Sequence, residues 1–268
     1  MAKDDPRDHD AEVDGNEQPF LDHLIELRSR ILRALVVVLV LFFPIYIFAN
    51  EIYQFVAAPL LAHLPTQSGM IATEVASPFL TPFKLAVVTA VFAAMPFILH
   101  QVWAFVSPGL YLHEKRFALP LLVSSILLFY CGMAFAYFLV FPLVFQFFTA
   151  VTPAGVTMMT DINRYLDFVL KMFFAFGFAF EIPIAILLMV WSGITTSAKL
   201  AAKRPYVIVG CFVVGMLLTP PDIISQLMLA GPTWLLFEAG ILLARFMTTR
   251  RTDGENGADA PAGDDTPS

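Results

Sequence analysis

The chain is predicted to be an all-α integral membrane protein with six transmembrane helices and both termini on the cytoplasmic side. Three observations carry that prediction. Hydrophobic residues make up 58% of the 268 positions and charged ones only 14%, with a mean hydropathy of +0.75, which is not the balance of a soluble domain. Uncharged runs recur along the chain, several of them longer than the roughly 20 residues a helix needs to cross a bilayer. Lysines and arginines gather at alternate ends of those runs, as the positive-inside rule requires.

The elements follow in order. Residues 1–19 hold seven acids and two bases, and residues 253–268 hold five acids and no base. Both stretches are rich in Asp, Gly and Pro. Stretches 1–19 and 251–268 are therefore expected to be disordered, solvated tails around a membrane domain over residues 20–250. The net charge of −6 belongs to these ends, because residues 20–252 carry fourteen Lys or Arg against ten Asp or Glu. That charge says little about partners, and no nucleic-acid partner is expected. The start is polar and acidic rather than basic and then apolar, so no cleavable signal peptide is expected.

Phe20 to Arg33 reads as an amphipathic helix leading into a first span over residues 31–50. Residues 50–82, with several Pro, Thr and Ser, read as the largest external loop. A second span lies within residues 85–114, and Ser107-Pro108-Gly109 turns the chain. The 44 uncharged residues 117–160 could hold two helices, but a seventh span would send Arg245, Arg250 and Arg251 outside. Pro142 and Thr152-Pro153-Ala154-Gly155 instead suggest one helix near 117–141 and an external loop. A fourth span covers 172–198. The fifth, 205–218, is only about 21 Å long at 1.5 Å per residue, and Thr219-Pro220-Pro221-Asp222 turns it into a last span over 223–244.

The charges fit this count. Arg28, Arg30 and Arg33 gather at the start of the first span, Lys115 and Arg116 separate the second from the third, and Lys199, Lys203 and Arg204 follow the fourth. Only Lys84, Arg164 and Lys171 fall near the opposite ends.

Candidate functional residues are polar groups in apolar surroundings. Glu181 stands in an otherwise uncharged run, where a central carboxylate costs roughly 2.5–3.5 kcal/mol on insertion scales, and such residues mark cavities or partners. Glu114 opens the third helix, where the helix dipole favours an acid and a carboxylate can hold an arginine through two hydrogen bonds. Glu26 is a carboxylate beside Arg28, Arg30 and Arg33, free to accept a cation; the plainer reading is an interfacial helix with snorkelling arginines. Asp222 suits a turn or N-cap, and Gln101, His100 and Tyr137 are lone polar groups near span ends. Trp103 and Tyr111 suit a membrane interface. Cys131 and Cys211 read as small buried hydrophobes. No G-x-S-x-G, H-E-x-x-H, phosphate-binding glycine loop or Cys/His cluster is present. No catalytic residue, metal or cofactor is therefore expected, and the chain is not read as an enzyme.

Eight segments in colinear order resemble the TatC family, the multi-spanning receptor subunit of the twin-arginine protein translocase. They are His23-Leu-Ile-Glu-Leu-Arg-Ser-Arg30, Ala76-Ser-Pro-Phe79, Gln101-Val-Trp-Ala-Phe-Val-Ser-Pro-Gly-Leu-Tyr111, His113-Glu-Lys-Arg116, Phe129-Tyr130 with Gly132-Met-Ala-Phe-Ala-Tyr-Phe138, Phe180-Glu-Ile-Pro183, Lys203-Arg-Pro-Tyr-Val207 and Gly215-Met-Leu-Leu-Thr-Pro-Pro-Asp222. The resemblance covers about residues 20–250. It implies six helices in a concave, glove-like bundle with short fifth and sixth helices, in a bacterial inner membrane. It also implies binding of signal peptides with two consecutive arginines, TatB-like and TatA-like single-span partners, a homo-oligomeric receptor complex, surrounding lipids, and export of folded proteins driven by the proton-motive force.

By the same resemblance Glu114 engages the arginine pair, with Phe105, Glu26 and Arg28 contributing. Glu181 is the acid facing the membrane groove. Pro59 and Asp222 are external-side functional positions, and Tyr137, Met216 and Gln101 are weaker candidates. Two other classes compete. A proton- or ion-coupled small-solute carrier would use Glu181 and Lys171 as its relay, but no internal repeat of the kind many carriers carry is visible. A structural scaffold would tolerate changes at Glu114 and Glu181.

Overall fold

A computed structural model describes the backbone over residues 7–64, 69–106, 115–153, 155–218 and 223–258, and side chains over 24–64, 69–105, 119–153, 155–218 and 223–246. The elements are α1 (Arg7–Ile47), α2 (Ala49–Leu61), β1 (Gly69–Ile71), α3 (Ser77–Ala93), α4 (Met95–Val106), α5 (Lys115–Phe135), a π segment (Ala136–Val140), α6 (Phe141–Val151), β2 (Met159–Asp161), α7 (Ile162–Trp191), α8 (Ser197–Ala202), α9 (Arg204–Leu218) and α10 (Ile223–Ala258). Among the described residues four helical stretches are long and apolar enough to cross a membrane: Leu24–Ile47, Leu119–Val151, Ile162–Trp191 and Ile223–Phe246. A fifth arises if the bent pair α3 and α4 counts as one span. The 15-residue α9 is apolar but about 22 Å long, short of a hydrocarbon core of about 30 Å. The chain is an all-α, multi-pass membrane protein.

Several expectations are revised. Residues 50–82 are not one loop: they contain α2, β1 and the first turn of α3. The prolines read as breakers there are absorbed, Pro78 at the start of α3 where its missing N–H costs nothing, and Pro59 and Pro82 inside helices. The second span starts at Ser77 and bends by 50° between Ala93 and Met95. Pro96 explains the bend, since it removes one helical donor and crowds the preceding turn. The third helical stretch does not stop near residue 141 but runs to Val151. The π segment immediately before Pro142 lets it pass, with the Phe141 N–H reaching the Ala136 carbonyl. The last helix is not short: its apolar part covers 24 residues, Ile223–Phe246, and it continues through Pro232. Helical backbone also extends into both stretches expected to be tails, from Arg7 and to Ala258.

The chain divides into two compact units. The first comprises residues 1–55 and 74–122. Here α3 packs on α1 through Leu85, Ala86 and Ala90, all essentially buried, and an aromatic cluster of Phe42, Tyr46 and Phe83 with centroids 5.4–6.1 Å apart. Trp103 is buried in this unit. The second unit comprises residues 56–73 and 123–268. Its core lies along α7, where Leu166, Val169, Met172 and Phe176 are fully buried together with Phe129, Phe141 and Ile241. Gly132 on α5 lies so close to α7 that a Cβ would collide with the Phe176 carbonyl. Small residues allow such backbone approach between membrane helices. Parallel pairing of β1 with β2 (Gly69 with Met159, Ile71 with Asp161) joins two distant connections of this unit.

Candidate functional site

Among the described residues of the first unit, a polar arrangement is built on Arg30. Glu26 and Arg30 are one helical turn apart on α1, a spacing that brings opposite charges together. Arg30 donates to Glu26 Oε1 through Nε at 3.0 Å and also through Nη2. Its Nη1 lies 3.4 Å from Gln101 Oε1, and its Nη2 donates to the Ala104 carbonyl at 3.2 Å. That carbonyl belongs to the last turn of α4, where backbone acceptors lack helical partners and a cation is favoured by the helix dipole. One arginine therefore fixes a side chain of its own helix and closes the end of another. Beside it Leu27, Ile31, Ile98, Val102 and Phe105 line a small apolar recess of about 130 Å³. Arg28 points to the exposed side of α1.

In the second unit Ser125 on α5 donates its hydroxyl to Glu181 Oε2 on α7. Glu181 Oε1 is buried and has no partner among the described residues. Asp161 caps α7 by accepting from the Asn163 and Arg164 N–H groups at 3.0 Å each. Its other oxygen accepts from Thr73 Oγ1 at 2.6 Å and from the Thr73 N–H at 3.0 Å. These bonds, that from the Thr73 hydroxyl foremost, push the Asp161 carboxyl down to about 2. Arg204 pairs with Glu238 across α9 and α10. Among the described residues no group of three His, Cys, Asp or Glu stands close enough together to hold a metal ion.

Comparison with known proteins decides the family. Residues 22–232 match the family model described as Sec-independent protein translocase protein (TatC). The chain belongs to the TatC family. The Sec-independent protein translocase protein TatC of Azotobacter chroococcum mcd 1 is 58% identical over 252 residues, covering 94% of this chain and 96% of that protein. The TatC protein of Escherichia coli K12 is 56% identical over 229 residues, covering 85% and 89%. A solved structure, the crystal structure of the twin arginine translocase receptor TatC, matches with a TM-score of 0.76 at 37% identity. It covers 84% of this chain and 99% of its own.

The TatC-family frame brings some expected residues together and separates others. Glu26, Gln101 and Phe105 meet around Arg30 and the recess, but Glu26 is not free to accept a cation because Arg30 already holds it. Glu181 takes its hydrogen bond from Ser125; Lys171 is exposed elsewhere on α7. Pro59 is buried inside α2, and its carbonyl accepts from His63 Nδ1 at 2.8 Å. Tyr137 lies half-buried in the π segment, edge-on to Phe138 at 4.9 Å. Met216 is exposed on α9. Glu114 and Asp222 lie outside the described residues, as does Tyr111. Cys211 is buried but Cys131 is exposed. On a membrane helix an exposed apolar residue faces lipid at no cost, so the burial habit of soluble proteins does not transfer.

Two participants escaped the sequence reading. Arg30 was legible as a partner of Glu26 from the i, i+4 spacing, and its reach to α4 was not. Ser125 gave no signal, being one of two adjacent serines in an apolar run.

Proposed function

We propose that this chain is the receptor subunit of a twin-arginine protein translocase, binding signal peptides that carry paired arginines. It works with single-span TatB-like and TatA-like partners, in a homo-oligomeric complex, to export folded proteins at the expense of the proton-motive force. The observation that carries this reading is its likeness, over 84% of the chain, to the crystal structure of a twin arginine translocase receptor. The membrane is a bacterial inner membrane and both termini face the cytoplasm, in keeping with the lysines and arginines flanking alternate spans. The acidic ends are solvated tails around the membrane domain.

At the cytoplasmic face Glu114 is the carboxylate offered to the arginine pair, since a guanidinium and a carboxylate match through two parallel hydrogen bonds. Glu26 contributes by holding Arg30, which in turn steadies the end of α4 next to Phe105. The recess beside Phe105 suits an apolar side chain following the arginines, and exposed Arg28 completes the site. Glu181 is the polar group of the membrane groove, while Pro59 and Asp222 act on the opposite side. Tyr137, Met216 and Gln101 are supporting positions. No step of this work is catalytic.

The test is site-specific photocrosslinking from positions 105 and 114 to a nascent precursor with an Arg-Arg signal, beside its Lys-Lys twin. Crosslinks with Arg-Arg alone support the receptor reading. Equal crosslinks, or solute uptake by the purified chain, would return the carrier.

A further inference from the structure

A second apolar groove lies in the other unit and is untouched by the receptor reading. It opens between α7 and α9 and is backed by α10, with a volume of about 380 Å³. Residues 175–182 of α7 and 207–214 of α9 line it. The floor is open because Ala175, Ala179 and Gly210 are small. At Gly210 an added Cβ would meet nothing within 4 Å. The groove asks for no hydrogen bond, because its one hydroxyl, on Thr233, already donates to the Leu229 carbonyl at 2.7 Å. Its occupant is therefore hydrocarbon. Over seven residues of α9 the groove is about 10 Å long, and a helix 10–12 Å across would need about two to three times its volume.

The rim supplies the second half of the ligand. Lys171 is exposed one turn before Ala175, and Ala175, Phe178 and Ile182 follow it down one face of α7. The 30 residues of α7 span about 45 Å, against a hydrocarbon core of about 30 Å. Its first third carries Arg164, Asp167 and Lys171, and the following 20 residues carry Glu181 alone. Lys171 thus stands at the edge of the hydrocarbon, where a lysine reaches headgroup level along its flexible stem. Below it the stacked rings of Phe174 and Phe178, centroids 6.1 Å apart, wall the path downward.

We propose that this groove holds one acyl chain of a bilayer phospholipid whose phosphate is bound by Lys171. The lipid fills the gap that small residues leave between α7 and α9 and so holds the short helix in place.

The test uses the full chain in phosphatidylcholine vesicles doped with phosphatidylglycerol carrying a mid-chain diazirine, with labelled peptides mapped by mass spectrometry. Label is expected on residues 175–182 and 207–214, several-fold above that on the lipid-exposed face of α1 around Leu35 and Leu39. Lys171→Gln should reduce the groove label several-fold and Lys171→Arg should keep it. Gly210→Leu, which has room for its side chain, should abolish it and leave the α1 label unchanged. A diacylglycerol probe lacking the phosphate should label the groove weakly and without regard to Lys171. The proposal is overturned if groove label does not exceed that of α1, or if Lys171→Gln and Gly210→Leu leave it unchanged. It is equally overturned if the diacylglycerol matches the phospholipid, or if a photoreactive residue at 210 captures polypeptide instead of lipid.

Discussion

Arg204, the first residue of α9, grips Glu238 in α10 with two parallel bonds, Nε to Oε1 at 2.6 Å and Nη2 to Oε2 at 2.7 Å. This fork ties the start of the 15-residue α9 to α10, and it gives the only acid of the last span a partner of matching shape. Arg204→Lys keeps the charge and loses the fork. Hydrogen exchange in the first two turns of α9 should therefore quicken in Arg204→Lys and quicken further in Glu238→Gln. The Arg204→Glu, Glu238→Arg double variant should recover part of the protection. Equal protection in all four proteins would make the pair ornamental.

Gly132 offers a sharper stability test. A methyl at this position has no space against the Phe176 carbonyl, and backbone cannot yield as a flexible side chain can. Gly132→Ala should destabilise the protein by about 1–3 kcal/mol, the usual cost of overpacking. A thermal midpoint in nanodiscs reads the loss. Gly210→Ala, in open space, is the control and should be near neutral.

The Asp161 clip should respond to acid in a stated window. Its carboxyl is lowered from 3.8 to about 2, so the unfolded form binds its proton first as pH falls. The stabilisation is fully present above about 3.8 and is lost as pH drops through about 2. Carboxyl-carbon NMR of Asp161 should titrate near the lower value, and Asp161→Asn should remove that resonance and loosen the Thr73 amide at neutral pH. A midpoint near 4 would show the Thr73 bonds to be absent in solution.

Arg30 should matter to binding as much as the residues around it. Removing it takes a donor from the Ala104 carbonyl and from buried Gln101, and an unsatisfied partly buried polar group costs about 1–3 kcal/mol. Arg30→Ala should weaken capture of an Arg-Arg precursor without preventing insertion, and Arg30→Lys should restore it only in part. Wild-type capture by Arg30→Ala would confine the residue to topology.

Much of this architecture was written in hydropathy and charge. The four long apolar helices fall where the uncharged runs lie, because spanning helices must be apolar nearly throughout. The short α9 was likewise legible from 14 uncharged residues between Arg204 and the Thr-Pro-Pro turn. Proline was the misleading letter. Pro59, Pro82 and Pro142 all sit inside helical stretches, since a lipid-embedded chain re-satisfies freed groups by helix packing or a π turn instead of breaking. The candidate residues Glu181, Gln101 and Glu26 stand out in the sequence as polar letters in or beside apolar runs. Their partners were not, because Ser125 lies 56 residues from Glu181 and Arg30 lies 71 from Gln101. Such distances carry no local pattern.

The π segment at Ala136–Val140 holds one residue more than a regular helix would place there. It works as a phase shifter in a shaft. Downstream of it, Phe141, Val144 and Phe145 all turn into the core. A chain shortened by one residue within this segment would relax to plain α-helix and keep both ends of the 33-residue stretch in step with their neighbours. The same deletion upstream, within Leu119–Phe135, would rotate those three side chains by about 100° and swing them out of the core. Length along this helix is thus negotiable at one place.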